Sequence, residues 1–200
     1  MNGEFAGLVL SKSLSGERGI LYRVFSPEAG LLALYKRVSS KTASALPDIF
    51  DAISARVSKA SGGDLMFVEE FEILGRRTGL AADYAAFCAA CDIARIVAKN
   101  TRYLEEFARL HSALEGALDA LEAGACADVV KVKFLYVFAR DEGYPVKESF
   151  ARSLDGGDLK LLSRLLSAPS SECGADSDGA ARLLFALERW LYSSTDIQPA

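Results

Sequence analysis

The hydropathy pattern of this chain changes period once, and that change limits what it can fold into. Up to about residue 75, apolar side chains recur at every second position. From Ala81 onward they recur at every third or fourth. Period two is the signature of a half-buried strand and period 3.6 that of an amphipathic helix. The chain is therefore expected to be α+β, with a strand-rich first part and an all-helical remainder.

Five strand segments are legible in the first part. GLVLSKS covers 7–13. RGILYRVF (18–25) places Ile20, Tyr22 and Val24 on one face and Leu21, Arg23 and Phe25 on the other. Pro27 and Gly30 mark a turn before LLALYK (31–36). IFDAISARVSKA (49–60) carries Ile53, Ala55 and Val57 at period two. SGGD (61–64) signals a hairpin, and LMFVEEFEIL (65–74) places Leu65, Phe67, Phe71 and Ile73 on one side. Five short antiparallel strands in so few residues fit a small closed barrel, of OB-fold or SH3-like type, because closure removes sheet edges. Tyr22, Phe25 and Tyr35 are the aromatic side chains in reach of a bound base.

The second part predicts helices over 81–99, 101–124, 127–145, 157–167 and 181–193. Gly124 ends the second, Gly143 and Pro145 stop the third, and Asp158 is the expected N-cap of the fourth. A short segment, VKESFARSL, precedes that fourth helix, and APSSECGADSDGA (168–180) reads as a polar loop. The expected division is a barrel at 1–78 and a helical domain at 79–200.

The residues argue against catalysis and cofactors. The one histidine, His111, lies four residues after Phe107 and three before Leu114, near an apolar face where a structural role is expected. There is no HExxH, GxSxG, P-loop or GxGxxG. The carboxylate pairs Glu69–Glu70, Glu105–Glu106 and Asp141–Glu142 are sequence neighbours, which do not share a face. Cys88 and Cys91 form a CxxC, but inside an Ala-rich helical pattern where cysteine packs as a small apolar residue. Cys126 and Cys173 are isolated, so no metal is expected. No apolar run approaches the ~18 residues of a membrane span. The N-terminal stretch reads as no secretory signal, and a cytoplasmic location is expected.

Net charge is −4 but unevenly spread. Residues 1–80 hold 10 Lys and Arg against 9 Asp and Glu, and residues 81–200 hold 13 against 18. A cationic surface is therefore sought in the first 80 residues. Lys36 and Arg37 leave the third strand and Lys41 follows in a Ser/Thr-rich loop. Lys12 and Arg18 flank the first loop, and Arg77 follows the fifth strand. Cations, hydroxyls and backbone N–H groups on loops suit a phosphate backbone. A solvated loop surface is the competing reading.

The run GLVLSKSLSGERGILYRVFSPEAGLLALYKRVSSKTASAL resembles the start of the bacterial RecO recombination-mediator family. Gly16 and Glu17 match its first turn, Ser26 and Gly30 its second, and Lys36 the lysine of its basic loop. Val38 and Ser39 stand where the family has Gly and Arg. ALEGALDALEAGACADVVKVKFLYVFARDEGYP is similar to the family's Leu/Ala-rich helix and the Phe-containing helix that ends in Gly-Tyr. The resemblance implies an N-terminal OB-fold, a helical C-terminal domain and no catalysis. It implies binding of single- and double-stranded DNA, annealing, and loading of recombinase onto strands coated with single-strand-binding protein (SSB). The implied partners are RecR and the acidic C-terminal tail of SSB, with Lys133 and Arg140 as the tail-binding cations. Many members carry a four-cysteine zinc module after the Gly-Tyr; here PVKESFARSLDGGD follows instead. An interaction module of the repair machinery, binding DNA weakly, is the alternative.

Overall fold

A computed structural model describes residues 2–38, 46–59, 65–104, 106–173 and 177–198. The chain divides into two compact units. One comprises Met1–Arg77 with Thr101–His111; the other comprises Thr78–Asn100 with Ser112–Ala200.

The first unit is a closed barrel of five strands: β1 (Asn2–Leu14), β2 (Gly19–Ser26), β3 (Gly30–Arg37), β4 (Ala52–Lys59) and β5 (Leu65–Gly75). Their order around the wall is β1-β2-β3-β5-β4, and β4 closes back onto β1. Every pairing is antiparallel except β3 with β5. This is a five-stranded barrel of the OB-fold type. All five strands expected from the sequence are present. The turn expected at 61–64 lies outside the described residues.

β1 is long because it serves two neighbours. Its first half pairs with β4 and its second with β2, and the register slips between Val9 and Ser11 where it changes partner. The interior is filled from the inward faces by Val9, Tyr22, Val24, Leu32, Leu34, Ile53, Ala55, Val57 and Val68. Each of the larger of these contributes about 1.5–3 kcal/mol by leaving water.

Three sequence expectations are corrected in the barrel itself. The strands are not all antiparallel, because β3 and β5 run side by side in the same direction. β4 begins at Ala52, not at 49, because the preceding residues form a turn. Phe50 sits there at φ 68. The Asp51 carboxylate accepts Asp48 N–H at 2.8 Å and Arg76 Nη1–H at 3.1 Å, which holds the turn from both sides. β5 does not present one continuous face. Val57 pairs with Val68 and Arg56 with Glu70, so Glu69 is an extra residue. That bulge reverses the parity: Leu65 and Phe67 face outward, while Phe71 packs on the core.

Phe107 and His111 pack against the barrel through Phe25. The Phe107 ring meets Phe25 edge-on at 6.2 Å and His111 lies against Phe25 at 5.8 Å. Gly30, at φ 70, allows this: a Cβ there would lie 2.7 Å from the Phe107 ring. This packing overrides the expected helix over 101–124. Thr101–Tyr103 is a single 3-10 turn, and the helix begins only at Ala108.

The helices are α1 (Tyr84–Asn100), α2 (Ala108–Glu122), α3 (Ala127–Asp141), α4 (Ala151–Ser153), α5 (Gly156–Ser167) and α6 (Ser177–Ser194). Within the second unit, α1 buries Ala86, Ala89, Ala90, Ile93, Ala94, Ile96 and Val97, and α3 buries Val129, Val132, Leu135 and Phe138. Lys131, with its side chain only 14% exposed, reaches Asp92 on α1 at 3.0 Å and Glu188 on α6 at 3.6 Å. The Asn100 side chain ends α1 by exchanging hydrogen bonds with the backbone of Gln198. α6 starts at Ser177 rather than 181, because Ser and Asp suit a helix N-terminus as well as a loop.

The N-cap of α5 is Asp155, not Asp158. Asp155 is extended and accepts from Gly157 N and Asp158 N, both at 2.8 Å. Asp158 instead takes an exposed ion pair from Arg182 at 3.0 Å. Asp155→Ala is expected to cost about 1 kcal/mol of stability in urea denaturation, and Asp158→Ala about half that or less. Equal losses would contradict the cap assignment.

Candidate nucleic-acid interface

The barrel's alternation decides which side chains reach solvent on β2, β3 and β5. Leu21 pairs with Tyr35 and Arg23 with Ala33; β5 then places Phe67 beside Tyr35 and Leu65 beside Ala33. These residues form adjacent outward rows. Tyr35 and Phe67 meet edge to face at 5.6 Å and 74°, the arrangement aromatic quadrupoles favour. Phe67 remains 42% exposed.

The β1–β2 turn and the end of β3 complete the site. Ser15 N–H bonds Gly19 O at 2.9 Å and Val38 N–H bonds Arg18 O at 2.8 Å, which ties the two ends together. Gly19 pairs with Arg37. A Cβ on Gly19 would overlap both the Tyr35 hydroxyl and the Ser15 carbonyl, so the Tyr35 ring rests directly on this backbone. The result is an open groove of about 720 Å³ lined by Glu17, Arg18, Tyr35, Arg37 and Phe67. Arg18 and Arg37 are exposed. Among the described residues neither makes an ion pair. Arg23, also exposed and without an ion pair among the described residues, stands one row away.

The remaining expected cations are placed differently. Lys36 faces the barrel end, where its ammonium donates to Glu69 O at 2.5 Å and Val68 O at 3.4 Å, next to the β5 bulge. Lys12 pairs with Asp48 at 2.8 Å. The hydrogen bond from Lys12 holds the Asp48 carboxyl below the ordinary carboxylate range. Arg77 is half-buried just beyond β5. Lys41 lies outside the described residues.

Of the aromatic side chains expected to meet bases, Tyr35 alone is on the outer face. Tyr22 and Phe25 are fully buried, Tyr22 inside the barrel and Phe25 beneath Phe107 and His111. Phe67 and Arg23 are the residues sequence reasoning missed. Arg23's outward parity was legible in β2, whereas Phe67's depended on the bulge at Glu69.

In the helical unit, Lys133 and Arg140 hold different partners. Arg140 pairs with its neighbour Asp141 at 2.7 Å. Lys133 donates to Ala168 O at 2.6 Å and borders an apolar hollow of about 180 Å³ with Ala113, Ala117, Val130, Phe134 and Val137. Cys88 and Cys91 are half-buried on α1, and burial pushes the Cys91 thiol up. Among the described residues no group of three or more His, Cys, Asp or Glu could hold a metal ion. Among the described residues no helix is long and apolar enough to cross a membrane.

Neither the known protein-family models nor the curated proteins include a match to this chain.

Burial pushes the Tyr22 hydroxyl up to about 12, with Asp48 and Asp51 adding to the shift. A raised value favours the folded state fully below the ordinary 10.0, and that contribution is lost as pH climbs from 10.0 toward about 12. Ultraviolet titration at tyrosinate wavelengths should show a last step near 12, together with unfolding, and Tyr22→Phe should abolish that step. Persistence of the late step in Tyr22→Phe would contradict the interior placement.

Proposed function

We propose that the wall formed by β2, β3 and β5 binds single-stranded DNA, and that the chain acts as a non-catalytic, RecO-like mediator of DNA repair and recombination. The observation that carries this is the Tyr35–Phe67 pair with Arg18 and Arg37 at its edges. Single-strand binders need aromatic surfaces for bases, worth about 1–3 kcal/mol per base, beside a cationic track for phosphates. The OB-fold presents this wall for such ligands. No hydrogen-bonding frame for a particular base pair is needed, which suits a protein that acts on strands of any sequence. The likeness of residues 7–46 to the RecO family narrows the role to annealing and recombinase loading, with RecR as a partner.

A second reading rests on the hollow beside Lys133. An apolar recess with an ammonium at its rim suits a peptide that ends in an aromatic residue and a carboxylate. The SSB tail has that chemistry, so the helical unit would supply the protein contact of the same mediator. Arg140, held by Asp141, contributes less than Lys133 in this reading.

Fluorescence anisotropy with labelled single- and double-stranded oligonucleotides at two salt concentrations tests the DNA reading. Wild type is expected to prefer the single strand and to weaken with salt. Tyr35→Ala should weaken binding by about 5- to 150-fold, matching loss of a stacked base. Arg18→Ala with Arg37→Ala should flatten the log–log salt slope by about 1.4, from two lost phosphate contacts. Absence of binding at low salt, or variants that bind as wild type does, would overturn it.

A further inference from the structure

α6 carries an exposed stripe that its own unit leaves uncovered. The helix turns Ala180, Leu183, Leu184, Leu187 and Leu191 inward. Trp190 also leans inward, its Nε1–H donating to Ser149 at 3.0 Å and its ring lying 5.8 Å from Phe150. The opposite side presents Phe185, 64% exposed, and Tyr192, 81% exposed. They are seven residues apart and so lie on one line of the helix. Glu188 and Arg189 sit between them, beside an open hollow of about 740 Å³. Two large exposed aromatic residues on one helix line need a reason, because their burial would remove considerable apolar area from water.

The order of these four residues identifies the occupant. Phe185, Glu188, Arg189 and Tyr192 are symmetric about a point between Glu188 and Arg189. A two-fold axis through that point, perpendicular to the helix, sets Phe185 over Tyr192 of a second copy, about 5 Å along the helix from the axis on either side. The same rotation sets Glu188 against Arg189 of the second copy, twice. A two-fold contact requires such self-complementarity. Arg189 makes no ion pair within its own chain among the described residues. Glu188 turns one oxygen toward Lys131 at 3.6 Å and keeps its side chain about one-third exposed, at 34%.

We infer that α6 is a homodimer interface, in which two copies pair antiparallel through Phe185, Glu188, Arg189 and Tyr192. A single pair of helices covers less area than the ~1,200–2,000 Å² of a standard stable interface. The dimer is therefore concentration-dependent and in exchange with the monomer. Paired copies would present two barrels to nucleic acid, but the inference rests on α6 alone and stands whether or not the barrel binds DNA.

Sedimentation velocity of the full chain without nucleic acid, from micromolar to near-millimolar protein, tests it. Wild type should shift from monomer to dimer across that range. Tyr192→Ser and Phe185→Ser should each raise the dissociation constant by about tenfold or more while circular dichroism and melting stay as in wild type. Arg189→Glu should weaken the dimer through facing carboxylates, and Glu188→Arg combined with it should restore the pairing. A wild-type chain that stays monomeric throughout would overturn the inference. So would a dimer that Tyr192→Ser and Arg189→Glu leave intact, because some other surface, or another partner for α6, would then be responsible.

Discussion

Barrel closure depends on one strand serving two neighbours. β1 pairs with β4 through residues 2–8 and with β2 through residues 8–14, and the slip between Val9 and Ser11 lets it bend from one to the other. At the bend, Val9 N–H bonds Asp51 O at 3.0 Å and Phe50 N–H bonds Val9 O at 2.7 Å. Phe50 must take a left-handed backbone conformation to do so, which costs about 1–2 kcal/mol. The buried Asp51 carboxylate, with its bonds to Asp48 N–H and Arg76, offsets that strain. If β1 did not bend, the wall would open and every outward row would lose its register.

Closure also segregates the barrel's charges. On the wall shared by β1, β4 and β5, Glu4, Glu70 and Glu72 surround Arg56, which is bonded to Glu70. On the wall of β2 and β3, Arg18, Arg23 and Arg37 are free of ion pairs among the described residues. A polyanion approaching the barrel therefore meets attraction on one part of the wall and repulsion on another. The net charge of −4 hides this. The bulge at Glu69 contributes doubly: it turns Phe67 outward beside Tyr35 and exposes the carbonyls that hold Lys36.

Much of this was legible in the chain. The period change located the barrel and the helices, and the alternation in β2 and β4 grouped Tyr22 with Val24, and Ile53 with Val57, on faces that the fold turns inward, although Tyr22 was expected to meet a bound base. Elements fixed by local pattern were therefore readable. Features fixed by long-range contacts were not. The parity reversal in β5 depends on pairing with β4, and the late start of α2 depends on Phe107 reaching Gly30 and Phe25. For the site, Arg18, Tyr35 and Arg37 were singled out from the sequence, but so were Tyr22 and Phe25, which fold inward. Lys36 and Lys12 could not be set apart from Arg18 and Arg37, because their partners Glu69 and Asp48 are brought near only by folding. Asp158 was the expected cap of α5, and the backbone geometry gives that place to Asp155.

The central claim is that the outward wall of β2, β3 and β5 is the surface that meets a single strand. Amide chemical-shift mapping of the labelled chain with a short single-stranded oligonucleotide tests it most directly. The account predicts that the largest shifts fall on Gly19, Arg23, Tyr35, Arg37, Leu65 and Phe67, and that the amides of Glu4, Ser54 and Glu72 stay unmoved. Shifts concentrated on the β1–β4 wall or on the helices, with the Tyr35 and Phe67 amides unchanged, would contradict it.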